Sequence, residues 1–190
     1  MSESGIDKLK AIFNARGTVP RLNRFKLDCS GINTILGKIR DPGGFANLPA
    51  DMSFLAANVT LPGRQLMTVG HENFSGGGPL TDYPHGFVND DFSCSFPMTG
   101  DFAVKRLFEE WMYYIVHGEN FLVRFPDQYK VDLILHQIDT KEKEIYSVKI
   151  EDAFPKTIST IEYNQAPDAM VPILNVSFGY GAWHPVGKFS

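Results

Sequence analysis

One stretch of this chain carries a sustained helical period, while most of the remaining patterned stretches repeat in twos. Val104, Leu107, Phe108, Trp111 and Ile115 recur at intervals of three and four, the spacing that lines one face of an α-helix. Thr99-Gly100-Asp101 ahead of them forms a capping region, with Asp101 well placed against the helix dipole, and Gly118 behind them is a natural stop. The spacing predicts a helix over about 101–117. Lys105 with Glu109 and Arg106 with Glu110 are i,i+4 pairs on its polar side, worth roughly a few tenths of a kcal/mol each. The helix must therefore gain its stability by burying its apolar face. A chain with one such helix has to build the rest of its core from sheet.

The period-2 runs supply that sheet. Residues 22–29 put Phe25, Leu27 and Cys29 on one side and Arg24, Lys26 and Asp28 on the other, as a half-buried strand requires. Further strands are expected over 54–61, 65–69, 87–96 (Phe92, Cys94 and Phe96 facing one way), 131–138 and 144–150, with a charged hairpin turn between the last two. Ala153-Phe154-Pro155-Lys156 reads as a break, followed by a final pair of strands over 158–163 and 173–180. Residues 31–50 are rich in Gly, Pro and Asn and include the turn signal Asp41-Pro42-Gly43-Gly44. They read as a loop insertion with a helical turn near Ile35. Ile6, Leu9, Ile12 and Phe13 predict a short amphipathic helix over 6–15, too short to stand alone in water. The expected fold is mainly β: an antiparallel β-barrel or sandwich with one flanking α-helix and a short N-terminal helix. Residues 1–18 form a helical extension and residues 19–190 a single β domain.

Composition narrows the function classes. With 18 basic and 22 acidic residues the net charge is −4, so no general basic field draws the protein onto nucleic acid. Aromatic residues reach 13%, which suits sheets and subunit interfaces. The two cysteines, Cys29 and Cys94, have no metal-ligand spacing, and they read as two buried thiols, with a pairing between them left open. The N-terminus has no apolar signal region, and no run approaches ~18 apolar residues.

Catalytic signatures are missing. His71, His85, His117, His136 and His184 lie far apart, with no HExxH. Asp90-Asp91 falls inside the expected strand at 87–96, where neighbouring side chains point to opposite faces and cannot share a proton. Gly76-Gly77-Gly78 lacks the lysine and the following helix of a phosphate loop. No GxSxG nucleophile motif occurs. No enzyme class, metal or cofactor is indicated.

Four landmarks, taken in order, resemble the tail tube proteins of contractile-tailed bacteriophages. Val19-Pro20-Arg21-Leu22-Asn23-Arg24-Phe25 is similar to that family's opening "R-P-N-x-F", with Leu22 as an interruption. Val59-Thr60-Leu61-Pro62-Gly63 resembles the "A-x-x-L-P" segment before a long hairpin or loop. Asp90 to Phe96 followed by Phe108-Glu109-Glu110-Trp111 resembles "D-x-x-x-T-F … F-x-x-W". Phe154-Pro155 through Ile158, then Val176 to Trp183 with Phe178 and Tyr180, resembles the ending "x-F-P-x-x-I … L-x-V-x-F-x-Y-x-x-W". The match spans residues 19 to 184.

The resemblance implies a tail-tube-like β domain and a structural virion protein, not an enzyme. Subunits would form hexameric rings that stack into the inner tube of a contractile tail. A sheath would surround the tube, baseplate and terminator proteins would sit at its ends, and DNA would pass through without specific binding. No membrane anchor is implied, and the place of action is the virion, assembled in the host cytoplasm. Ser75, Gly76, Gly77, Gly78, Pro79 and Tyr83 are then candidate contacts to the next subunit. The long 31–50 segment and the N-terminal helix leave open a baseplate tube protein that initiates the tube. A tube of a phage-derived injection machine is also open, and from another class so is a ligand-binding β-barrel or enzyme.

Overall fold

One bent strand joins two halves of a sheet, and the helices cover the core between them. The computed structural model describes residues 5–16, 21–39, 45, 47–71, 81–118, 120–163 and 171–187. In order these form α1 (Gly5–Arg16), β1 (Phe25–Asp28), a 3-10 turn (Ser30–Ile32), α2 (Asn33–Leu36), α3 (Leu48–Leu55) and β2 (Asn58–Val59). There follow β3 (Arg64–His71), β4 (Thr81–Asn89), β5 (Phe92–Pro97), α4 (Ala103–Ile115) and α5 (Pro126–Tyr129). The chain ends in β6 (Val131–Ile138), β7 (Glu144–Ile158), β8 (Ile173–Gly179) and β9 (Ala182–Val186). The fold is mainly β, with antiparallel pairing throughout.

Seven strands form one sheet in the order β1-β6-β7-β8-β5-β2, with β9 also on β7. β7 makes this possible by changing partners along its 15 residues. Its first part lies between β6 and β9, and from Phe154 it pairs with β8. Between the two parts, Glu151 and Asp152 stand opposite the single residue Asp132, a bulge with Asp152 at φ 59. Bulges of this kind bend a strand and increase its twist. The Asp152 amide donates to Asp132 Oδ1 at 3.2 Å, which holds the bend.

The expected break at 153–156 is therefore a continuation. Pro155 pairs with Phe178 beside a second register shift, the sort of position where a missing N–H is tolerated in a sheet. Of the strand expected over 158–163, only Ile158 belongs to β7. β9 was not anticipated from the pattern.

Three other expectations change. The strand expected over 54–61 shrinks to Asn58–Val59, because α3 runs on to Leu55 with a proline in its first turn and Leu48 and Met52 buried. The run 87–96 divides into β4 and β5, which pair with different strands. Asp90 and Asp91 lie in the connection, so the opposite-face placement inside a strand does not hold for them. Residues 31–50, expected as a loop insertion, supply Ile32, Ile35, Leu36, Phe45 and Leu48 to the core. Glycine and proline punctuate this segment, but its apolar residues still meet the sheet.

α4 covers the sheet as its period predicts, with Val104, Leu107, Phe108 and Trp111 fully buried. The Phe108 ring lies 5.7 Å from Phe178, 5.9 Å from Phe96 and 6.2 Å from Trp111. These offsets are favourable for aromatic pairs. Trp111 Nε1 donates to the Tyr129 carbonyl at 2.9 Å, so the indole is buried without an unmet donor. At the helix start, Asp101 Oδ1 accepts from the Ala103 amide at 3.3 Å. Hydrogen bonds from Thr99 and then Ala103 hold its carboxyl below the usual range. Phe92, Cys94 and Phe96 all face the core from β5.

Trp111→Ala should remove about 3–5 kcal/mol of stability, read as a fall in the urea midpoint, whereas Phe125→Ala on an exposed ring should change it by less than about 0.5 kcal/mol. Cys29 and Cys94 are free and buried. Burial first, then Asp28, pushes the Cys29 thiol up to about 12, and burial followed by Cys29 raises Cys94. Both thiols stay neutral in the fold but ionise near 9.0 once unfolded. The stability from keeping them neutral is present below that value and lost as pH rises above it. The urea midpoint should fall between about pH 9 and 12. A thiol reagent at about pH 8 should label neither cysteine until denaturant is added, and rapid labelling in native buffer would contradict their placement.

Candidate functional site

β3 and β4 form a hairpin that belongs to no other sheet. Its register runs from Arg64 opposite Asn89 to His71 opposite Thr81, with a shift between Met67 and Thr68. Eight residues of strand reach about 26 Å. One face carries Met67, Val69, Tyr83 and Val88, and the other carries Leu66, Phe87 and Pro84. Apolar side chains stay exposed on both faces: Leu66 at 63%, Val69 at 55%, Tyr83 at 59% and Phe87 at 57%. A lone two-stranded ribbon is marginal in water. One that is apolar on both faces is built to be covered.

The base of the hairpin is fastened by residues from the far end of the chain. The Asp90 amide closes the ribbon on the Gly63 carbonyl at 3.2 Å. Arg64 donates through Nε to Asn89 Oδ1 at 3.2 Å and through its terminal nitrogen to the Trp183 carbonyl at 3.4 Å. Its guanidinium lies 4.8 Å from the Phe87 ring and 4.8 Å from the Trp183 ring, within cation–π range of both. The Tyr180 hydroxyl donates to the Asp90 carbonyl at 2.5 Å, and Lys156 Nζ lies 2.9 Å from Asp91 Oδ2. Trp183 Nε1 is buried and finds no acceptor among the described residues. Beside this socket Lys149 pairs with Asp132 at 2.8 Å and Glu151 at 3.2 Å. The Lys149 hydrogen bond holds the Asp132 carboxyl below its ordinary range.

Among the described residues no group of His, Cys, Asp and Glu could hold a metal ion. No helix among the described residues is long and apolar enough to cross a membrane. What the geometry offers is an exposed apolar ribbon on a base fastened to the body.

The family model for the phage tail tube protein matches residues 21–185. The chain belongs to that family. Its role is structural, as part of a tail tube, in a virion or a related injection machine. Several solved structures share the fold of this tail tube protein. In the extended sheath–tube complex of the PVC extracellular contractile injection system, a chain aligns at a TM-score of 0.59 and 10% identity, covering 98% of this chain and 100% of that one. The tube-terminating cap of the anti-feeding prophage aligns at 0.57 and 11% identity over 90% and 93% of the two chains. The baseplate of the anti-feeding prophage aligns at 0.55 and 8% identity over 70% and 80%. No curated protein matches the sequence.

The residues singled out from the sequence of this tail tube protein occupy two places. Phe108, Trp111, Pro155 and Phe178 are buried, and Phe154 is half-buried against Tyr129 with ring centroids 5.6 Å apart. Tyr180 and Trp183 fasten the hairpin base, to which Leu61 and Pro62 lead. Asn23 is exposed just before β1, where Phe25 is half-buried. Pro20, Ser75, Gly76, Gly77, Gly78 and Pro79 lie outside the described residues, whereas Tyr83 sits on β4. Sequence reasoning missed Arg64 and gave Lys156 no role. Arg64 and Trp183 stand 119 positions apart, and no local period links residues at that separation.

Tyr180→Phe should cost about 0.5–1.5 kcal/mol and speed amide exchange at Asp90, whose N–H closes the ribbon. Burial, then Asp90 and Asp91, raises the Tyr180 hydroxyl above its ordinary 10.0. The donated bond is thus present at neutral pH and lost only as pH rises through that raised value. Unchanged exchange at Asp90 in Tyr180→Phe would remove the hydroxyl from the socket.

Proposed function

We propose that this tail tube protein forms hexameric rings that stack on themselves into the inner tube of a contractile phage tail, the conduit for DNA on ejection. The observation that carries the reading is the hairpin of β3 and β4, apolar on both faces and paired with no other strand among the described residues. A second copy of the same chain supplies its cover. Head-to-tail contact of one surface patch with a different one generates rings when the rotation closes and filaments when it does not. The end strands β1 and β2 each have one neighbour in the sheet. Packing subunits side by side protects such edges from uncontrolled pairing.

The remaining parts of the proposal follow from a tube. A net charge of −4 suits a lumen in which DNA must slide, because phosphate contacts would retain it. Sheath, baseplate and terminator proteins are the partners a tube requires. Residues 1–18 serve as a helical arm of the subunit, with Ile6, Leu9, Ile12 and Phe13 of α1 exposed and available to a neighbour. Ser75, Gly76, Gly77, Gly78 and Pro79, between β3 and β4 in the sequence, add contacts to the next subunit. Assembly takes place in the host cytoplasm, and the protein works in the virion.

Full-length protein at rising concentration, followed by sedimentation and negative-stain imaging, should form six-fold rings or tubes. Met67→Asp with Tyr83→Asp, which puts two carboxylates on one hairpin face, should leave it monomeric. Amide protection over residues 75–84 should rise on assembly. A wild-type chain that stays monomeric even beside its neighbouring tail proteins would refute the reading, as would a double variant that assembles like the wild type.

A further inference from the structure

The hairpin leaves the body through two single strands of backbone, at Gly63 and at Asp90. Neither arm continues a body ladder: β3 does not pair with β2, and β4 does not pair with β5. Main-chain hydrogen bonds therefore leave the exit angle free, like a door on one hinge line. Pro62-Gly63 leads in, and the Asp90 carboxylate lies against Gly63, where a Cβ would meet Oδ2 at 2.5 Å. Side chains must fix the angle, and the described residues show three such fastenings on separate elements. Arg64 reaches Trp183 of β9, the Asp90 carbonyl takes the Tyr180 hydroxyl, and Asp91 meets Lys156 of β7.

We propose that Arg64 is the positioning residue that sets the direction in which the hairpin projects, by joining the Phe87 ring of the hairpin to the Trp183 ring of the body. Arg64 bridges a ring of the moving part and a ring of the fixed part at equal distances of 4.8 Å. It ties the same two parts by hydrogen bonds, to Asn89 Oδ1 and to the Trp183 carbonyl. A planar guanidinium can stack on both rings while donating at its edge, and an ammonium cannot reproduce that geometry. An apolar ribbon that swings would meet a neighbouring copy at many angles and pay the ordering entropy on each encounter. The clamp removes that cost in advance. It also gives the Tyr180 and Trp183 ending of the sequence a task, as a socket for a hairpin more than ninety residues earlier. The inference rests on the hairpin being the contact between copies.

The test separates the two ideas. Spin labels at Thr68→Cys and Lys141→Cys, both exposed positions, report hairpin against body, with Cys29 and Cys94 buried and out of reach of the label. Measured in the monomeric Met67→Asp/Tyr83→Asp background, the distance distribution should be narrow with Arg64 present and broad in Arg64→Ala. Arg64→Lys should be intermediate, and Trp183→Leu should broaden it no further when combined with Arg64→Ala. In the otherwise wild-type chain, Arg64→Ala should raise the concentration needed for assembly at least about tenfold and leave the urea midpoint nearly unchanged. An unchanged distribution in Arg64→Ala overturns the clamp, as does an assembly threshold equal to wild type. If instead the Met67→Asp/Tyr83→Asp chain assembles normally, the contact reading fails, while the distances still decide whether Arg64 orients the hairpin.

Discussion

Everything in this tail tube protein hangs on the bend in β7. A flat seven-stranded sheet would leave one face to be covered by a single helix of 13 residues, too little for the aromatic core it carries. The bulge at Glu151 and Asp152 turns the strand, so that β1, β6 and β9 lie with its first part and β8, β5 and β2 with its second. Side chains from both parts then converge on α4. Phe96 and Phe178 meet Phe108 from the sheet side, with Phe92 against Phe178, and Ile32 and Ile35 of the 31–50 segment join the same core with Met52 of α3. Asp152 holds a left-handed conformation, uncommon for a residue other than glycine. The hydrogen bond from its amide to Asp132 compensates.

The same bend places the socket. Because β9 returns along the first part of β7 while β8 lies along the second, Trp183 and Tyr180 emerge where β5 begins and β4 ends. A body with a filled core thus presents a hairpin that has no core of its own. The contrast between the buried Phe108 and the exposed Phe87 expresses the division of labour. One aromatic fills the core of the subunit, and the other stays exposed on the hairpin beside the Arg64 guanidinium. A tube of repeated subunits needs both, and neither requires a catalytic group.

Much of the body was legible in the sequence because burial leaves a local period. Val104 to Ile115 marked a helix with a spacing of three and four, and Phe92, Cys94 and Phe96 marked a strand by alternation. Reading failed where a local signal had two meanings. Pro155 looked like a strand end and is a bulge position. Leu48 and Met52 sit beside Asn47 and Pro49, and the helix they form is decided by the core beneath them. Asp90 and Asp91 interrupt one apparent strand, because the chain leaves the hairpin there and enters the sheet. Ser75 to Pro79 lie outside the described residues.

By itself the sequence determined a mainly β chain, the amphipathic helix that carries Val104 to Ile115, the part of the core that this helix and the strand of Phe92, Cys94 and Phe96 supply, and the absence of any recognisable catalytic motif. These follow from side-chain period and from motifs, both written into short stretches. Only the tertiary structure decided that β7 serves two parts of the sheet and that residues 64–89 stand apart from it as a hairpin. It alone brought Arg64 between Phe87 and Trp183. Such placements depend on contacts between residues far apart in the chain, whose partners are chosen by the closing of the whole fold and leave no period behind.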